Sequence, residues 1–188
     1  MRQWIDIISE ENLTELEFPT KLGDAEQRLI DAGYLVLGRG QTGVVYQKPN
    51  APYVLKLFDA RDTAYATFVK AAKSNPNPHF PVFKGNIIKV TDSYLAVRTE
   101  LLQPSSGRNE EIELIDRYII GIRDYGYSNQ ENLDYMDKHP DMKVAANIIV
   151  NILKRNIGKF MCDIHQPNVM MRGSVMVLTD PIGMFDLE

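Results

Sequence analysis

The residues best suited to chemistry stand late in this 188-residue chain: Asp163-Ile164-His165-Gln166-Pro167-Asn168, then the β-rich runs NVMMR and VMVLT split by Gly173-Ser174, then Asp180-Pro181. Gly-Ser between two alternating runs reads as a two-residue hairpin turn. A turn centred there pairs Asn168 with Thr179 and sets Asp180 beside Asn168 at the open end, with Asp163 one short loop away. Two carboxylates and an amide oxygen converging on one spot suit Mg²⁺, which keeps waters and binds phosphates. Taken singly, Asp163 and Asp180 read as loop caps. Their order and spacing are what point to a metal.

Two further signals favour a phosphate ligand. In Gly38-Arg39-Gly40-Gln41-Thr42-Gly43-Val44-Val45-Tyr46, three glycines let a backbone turn approach phosphate oxygens with no side chain in the way. A dinucleotide-binding turn would run straight into a helix, but only VVYQK separates these glycines from the Pro49–Pro52 breaker. The glycines therefore sit in a hairpin, and no Gly-Lys-Ser/Thr of a phosphate-loop NTPase follows. Lys56 lies within YVLKLF, where alternation groups Val54, Lys56 and Phe58 on one face and Leu55 and Leu57 on the other. A lysine inside an apolar strand is costly unless an anion meets it, and a nucleotide phosphate would serve.

The elements that position these residues follow from periodicity. Residues 1 to 32 read as helical, with Leu22, Ala25, Leu29 and Ile30 spaced for one buried face and Gly33 as a stop. YLVLG, GVVYQ and YVLKLF predict a three-stranded antiparallel meander. Asp59 or Asp62 caps a helix running to Lys73, SNPNPHFP ends it, and strands follow at 83 to 90 and 93 to 99. LQPSSGRNE, at 102 to 110, is the one stretch whose composition separates lobes. Beyond it, Ile112, Ile115, Tyr118, Ile119 and Ile122 recur at helical spacing, as do Val144, Ile148, Ile149, Ile152 and Leu153 after an Asp141 cap.

Bulk properties narrow the classes. A net charge of −4 argues against a nucleic-acid partner, which needs a basic face. A single cysteine, Cys162, forms no internal disulfide and reads as a small buried hydrophobe. The opening residues carry acids throughout without an apolar signal core, and no apolar run reaches membrane-spanning length, so a cytoplasmic protein without membrane contact is expected. His165 reads as a brace for its loop rather than a base, and the acids at 110 to 116 as a solvated face.

The order of glycine loop, Val-x-Lys strand, Asp-x-x-x-x-Asn loop and an Asp after the next hairpin resembles the protein-kinase-like fold. More narrowly, GYLVLGRGQTGVVY, AYATF, GKFMCDIHQPNVM and LTDPIG look like the kinase domain of the early serine/threonine protein kinases of T7-like bacteriophages. DIHQPN is also similar to the loop of antibiotic and lipopolysaccharide-type kinases. The resemblance implies an α+β, two-lobed single domain over 1 to 188: a lead-in and N-lobe of sheet plus helix to residue 101, then a reduced helical C-lobe carrying the catalytic hairpin from 102. It implies ATP and Mg²⁺, with Gly38, Gly40 and Gly43 over the phosphates, Val45 and Val54 against adenine, and Lys56 on the α- and β-phosphates. Thr99 to Leu102 resemble the hinge, with Glu100 and Leu102 reading the adenine edge through backbone groups. Asp163 would take or orient the proton of the attacking hydroxyl, and Asn168 and Asp180 would hold metal.

Some positions depart from that pattern. ARDTAYATFVKAAK has no glutamate to pair with Lys56, leaving Asp59, Asp62 or an N-terminal acid as substitutes, and Met161 and Thr179-Asp180-Pro181 replace familiar kinase residues. The eight residues after Asp180 leave no room for the usual peptide-docking helices. The expected activity is transfer of the ATP γ-phosphoryl to host proteins or to the chain itself. The competing expectations are a pseudokinase-type module that binds and inhibits a host protein, a small-molecule kinase, and a nucleotidyl transferase.

Overall fold

Strand alternation and helical stripes together make a mixed α+β molecule, seen here in a computed structural model that describes residues 22–185. The chain divides into two compact units, Met1–Arg61 with Phe83–Leu101, and Asp62–Val82 with Leu102–Glu188. The part of the expected helical lead-in from 1 to 21 lies outside the described residues.

In the first unit, β1 (Leu35–Arg39), β2 (Gly43–Gln47) and β3 (Tyr53–Asp59) form the expected antiparallel meander. β4 (Phe83–Lys89) and β5 (Tyr94–Glu100) complete a five-stranded sheet in the order β1-β2-β3-β5-β4. One face of it buries Val44, Tyr46, Leu55, Leu57 and Ala96 in a cluster with Ala25 and Leu29 of helix α1 (Leu22–Asp31). Truncating a core leucine such as Leu57 to alanine would cost about 2–5 kcal/mol. The anticipated helix face is narrower than its spacing suggested. Ile30 is 47% exposed, because the i, i+4 pair Ala25 and Leu29 already meets the sheet. The Leu22 side chain lies outside the described set. The helix closes as the N–H groups of Gly33 and Tyr34 return to the carbonyls of Ile30 and Leu29, both at 2.9 Å. Glu26 fastens α1 to the sheet, its Oε1 accepting from Tyr46 Oη and Arg39 Nη1, each at 2.7 Å. The tyrosine hydrogen bond, and then Arg39, hold Glu26 below the usual carboxylate range despite burial.

The second unit contains helices α2 (Thr63–Ser74), α3 (Asn109–Asp124), α4 (Gln130–Lys138) and α5 (Pro140–Arg155). It also contains the three-stranded sheet β6-β8-β9 (Gln103–Pro104, Val169–Arg172, Val175–Leu178) and the pair β7 (Phe160–Cys162) and β10 (Ile182–Met184). Helix α2, counted from sequence with the N-lobe, clusters with this second unit. Its buried stripe of Ala64, Tyr65, Phe68, Val69 and Ala72 packs on β10 and α5, with Phe80 set edge-on to Phe68 at 5.5 Å. Asp62 is the cap: its Oδ1 accepts the Tyr65 N–H at 2.9 Å, an arrangement worth about 1 kcal/mol.

Helices α3 and α5 pack through Ile112, Ile115, Tyr118 and Ile119 on one and Met142, Ala145, Ala146, Ile149, Val150, Ile152 and Leu153 on the other. Asp141 is not the α5 cap. Pro140 takes the first helical position, so Asp141 lies in the first turn, where its charge complements the positive end of the helix. Val144 falls off the buried stripe and is 52% exposed. The linker-like stretch at 102 to 110 is docked rather than loose, since Gln103 and Pro104 pair with Met171 and Met170 and Ser105 is buried.

Among the described residues, no helix is long and apolar enough to cross a membrane.

Candidate functional site

Three local choices of sequence build the second unit's polar centre. Gly173, at φ +60°, turns β8 into β9 in the register Val169↔Leu178 to Arg172↔Val175, as the Gly-Ser turn predicted. Asn168 therefore stands opposite Thr179, whose N–H and Oγ1 both donate to the Asn168 carbonyl at 2.9 Å. Beyond Asp180, β10 pairs with β7 as Ile182↔Cys162, and the Asp163 N–H donates to the Pro181 carbonyl at 3.0 Å. Asp180 is thus bracketed: the residue before it is bonded to Asn168 and the residue after it to Asp163.

Hydrogen counting assigns the side chains. Asn168 Nδ2 lies 2.9 Å from the Asp163 carbonyl, from Asp163 Oδ2 and from His165 Nε2. An amide has two hydrogens, and the two Asp163 oxygens take them. His165 Nε2 then keeps its own hydrogen for Asp163 Oδ1 at 3.2 Å, and the ring braces the loop as its position suggested. Asn168 Oδ1 and one remaining lone pair on each Asp163 oxygen are left as acceptors. The Asp163 side chain is 34% exposed, which leaves it accessible to a small polar group.

The chain's own oxygen donors fit a hard cation that retains waters. Asp180 supplies a carboxylate and Asn168 an amide oxygen, with no thiolate or imidazole ligand required. Among the described residues, no group of three or more His, Cys, Asp or Glu gathers that could hold a metal ion.

Neighbours missed by sequence reasoning support this centre. Asp116, taken for part of a solvated acidic face, is partly buried on α3, and the Cys162 thiol donates to it. Burial raises the Asp116 carboxyl above its ordinary 3.8, with Arg123 opposing and the Asp163 charge adding. Burial and the Asp116 carboxylate push the Cys162 thiol far up, so Cys162 is a hydrogen-bonded thiol and not merely an apolar filler. Gln166 Nε2 donates to the Ser105 carbonyl at 2.8 Å and Ser105 Oγ to the Gln166 carbonyl at 3.3 Å, tying the loop to β6. His79, unassigned from sequence, donates from Nδ1 to the Met176 carbonyl at 2.8 Å, and its backbone carbonyl accepts the Leu178 N–H at 2.9 Å. Burial lowers its ring below the ordinary 6.5 and keeps it neutral. Only the acidic run around Asp116, where helical phase turns one acid inward, held a usable signal.

In the first unit, the register pairs Val45 with Lys56, and alternation adds Val54 to that face, opposite the face covered by α1. Gly38 pairs with Val45, and a side chain there would meet nothing within 4 Å. Gly40 N–H closes the turn on the Gly43 carbonyl at 2.8 Å. Gly43 is required by packing, since a Cβ there would stand 2.6 Å from the Leu57 carbonyl. Of the acids offered as partners for Lys56, Asp59 lies on the Leu55–Leu57 face and is held by Arg61 Nη2 at 2.8 Å, while Asp62 caps α2. Glu100 ends β5 opposite Tyr53, and the next N–H, of Leu101, donates to Pro52 at 3.2 Å. Leu102 is buried and belongs to the second unit.

No protein-family profile matches this chain, and no curated protein matches it either.

Proposed function

We propose that the chain is a Mg-ATP-dependent phosphotransferase of protein-kinase-like, two-lobed fold, acting as a serine/threonine kinase on host proteins and on itself. The observation that carries this reading is the bracketing of Asp180 by hydrogen bonds that run from Thr179 to Asn168 and from Asp163 to Pro181. That arrangement supports a base candidate, Asp163, lying in adjoining positions to two candidate oxygen ligands of different kinds, Asn168 and Asp180. Mg²⁺ bound by Asn168 and Asp180 would neutralise charge on the β- and γ-phosphates. Lys56 supplies a fixed positive charge for the α- and β-phosphates, Gly38, Gly40 and Gly43 leave room for backbone approach, and Val45 and Val54 offer an apolar surface to adenine. The backbone of Glu100 and Leu102 serves its polar edge.

In the reaction the substrate hydroxyl oxygen bonds to the γ-phosphorus as the bond from phosphorus to the bridging β-oxygen breaks. ADP departs, and the hydroxyl proton passes to Asp163. Asn168 and His165 hold that carboxylate in place, so catalysis comes from positioning and charge neutralisation.

The test is incubation with γ-labelled and, separately, α-labelled ATP, Mg²⁺ and a host lysate, wild type beside Asp163→Ala and Asp180→Ala. Transfer from the γ position alone is expected, falling at least about 100-fold in Asp163→Ala, the scale of a lost general base. Label from the α position means nucleotidyl transfer. ATP consumption without protein labelling means a small-molecule kinase, and ATP binding without consumption means a binding module. Any of these outcomes overturns the protein-kinase reading.

A further inference from the structure

The face of the first sheet turned away from Lys56 sets two cations side by side. Alternation along β5 puts Arg98 on the same face as Ala96, and along β3 it puts Tyr53 on the same face as Leu55 and Leu57. Lys84 of β4 stands directly opposite Arg98, just before the register shift that separates it from Ile88. The cluster beneath α1 runs toward Leu57 and Tyr94 and includes none of Tyr53, Lys84 and Arg98. Like charges directly opposite on neighbouring strands, with Cβ atoms roughly 5 Å apart, repel each other. An anion between them removes that cost.

Arg98 is already held in place. Its Cζ lies over the Tyr53 ring, 5.1 Å from the centroid. Its Nε is closed off from solvent and has no hydrogen-bond partner, a state that buried donors rarely keep without a ligand, ion or water to meet them. The residue as a whole is half-buried, so an anion can reach the guanidinium from outside, and Lys84 is exposed beside it. Among the described residues neither Arg98 nor Lys84 joins an ion pair. Glu100, the next acid along that face, lies opposite Tyr53 and has contacts of its own, and Asp92 is taken by Lys89 at 2.6 Å.

We propose that Arg98 and Lys84 form a binding site for a dianionic phosphate group on the back of the sheet, separate from the nucleotide site proposed at Lys56. Two positive charges match one dianion. The planar guanidinium offers paired donors to two phosphate oxygens, and the Lys84 ammonium meets a third as a point charge. A carboxylate fits less well, because it brings one charge and two oxygens that the guanidinium alone would occupy. Tyr53 holds the guanidinium before the anion arrives, so less side-chain freedom is lost on binding. The inference does not depend on phosphotransfer, since Lys56 points to the other face.

The test is titration of the full-length protein with inorganic phosphate and, separately, with phosphoserine blocked at both ends, in chloride at constant ionic strength. Wild type is compared with Lys84→Gln, Arg98→Lys and Lys56→Gln. Lys84→Gln changes an exposed side chain and leaves folding intact, while Arg98→Lys keeps the charge and removes the paired donors. Saturable phosphate binding is expected in wild type, about tenfold weaker in Lys84→Gln and in Arg98→Lys, the scale of one charged hydrogen bond, and unchanged in Lys56→Gln. Tighter binding of phosphoserine than of inorganic phosphate supports the site and assigns it to a phosphorylated side chain. Equal or weaker binding of phosphoserine supports it as a site for free phosphate. A loss confined to Lys56→Gln means that phosphate occupies the proposed nucleotide site, which overturns this inference and leaves the phosphotransferase reading intact. No saturable binding in wild type, or equal affinity in all four proteins, overturns it as well.

Discussion

Asp116 shows how one buried carboxylate stores a pH dependence beside the polar centre. Its folded value is raised above the ordinary 3.8, chiefly by burial, so between those two values the folded state holds more protons than the unfolded chain. Stability from this group is therefore lost as pH rises through the folded value, and at neutral pH the ionised form opposes folding. Asp116→Asn removes that charge and keeps an amide oxygen to accept the Cys162 hydrogen. The expected result is a thermal midpoint at pH 7 higher by roughly 1–3 °C, with a flatter profile between acid and neutral pH. A lower midpoint would mean that attraction to Arg123 outweighs desolvation. Helical phase in EEIELID turns one acid inward, but the size of its burial, and the thiol of Cys162 beside it, depend on tertiary packing that the sequence does not name.

At the scale of elements, the strands and turns were the legible part. Alternation in residues 34 to 58 predicted the meander, and Gly173-Ser174 predicted a hairpin register that placed Asp180 next to Asn168, because side-chain period and turn length leave a strand little choice. Helices were less legible where their apolar stripe is thin. Helix α4 buries only Asn132 and Met136 and begins at Asn129, whose side chain accepts the Asn132 N–H, so it presents no periodic signal to find. The glycines also looked alike in sequence and are not alike in structure. Gly43 lies against the Leu57 carbonyl, which is backbone and cannot yield, whereas Gly38 faces open space. Gly43→Ala should destabilise the first unit by about 1–3 kcal/mol, measured by denaturant unfolding. Gly38→Ala should unfold at nearly the wild-type midpoint and, on the proposed function, bind the ATP analogue more weakly. Equal destabilisation by both would remove the distinction between a packing glycine and one reserved for a ligand.

Over the whole molecule the chain crosses from one unit to the other three times, at Arg61–Asp62, Val82–Phe83 and Leu101–Leu102. The reading from sequence contained only the last crossing, because composition changes there and not at the other two. Segment Asp62–Val82 belongs to the second unit through tertiary partners that periodicity does not name: β10 and α5 for the α2 stripe, and for the loop after it the Arg172 guanidinium, which donates to the carbonyls of Pro78 and Phe80 at 2.8 and 3.0 Å. Every one of those partners is encoded after residue 101. A 12-residue helix is marginal on its own in water, and the Asp62 cap offsets only a small part of that deficit. A fragment ending at residue 101 should therefore retain slow amide exchange in β3 and β5, which pair with each other along Tyr53 to Asp59, while residues 63–74 exchange at rates near those of an unstructured peptide. Hydrogen exchange on the fragment and on the full chain decides the matter. Full-chain protection of α2 in the fragment would show that its packing on β10 and α5 is dispensable.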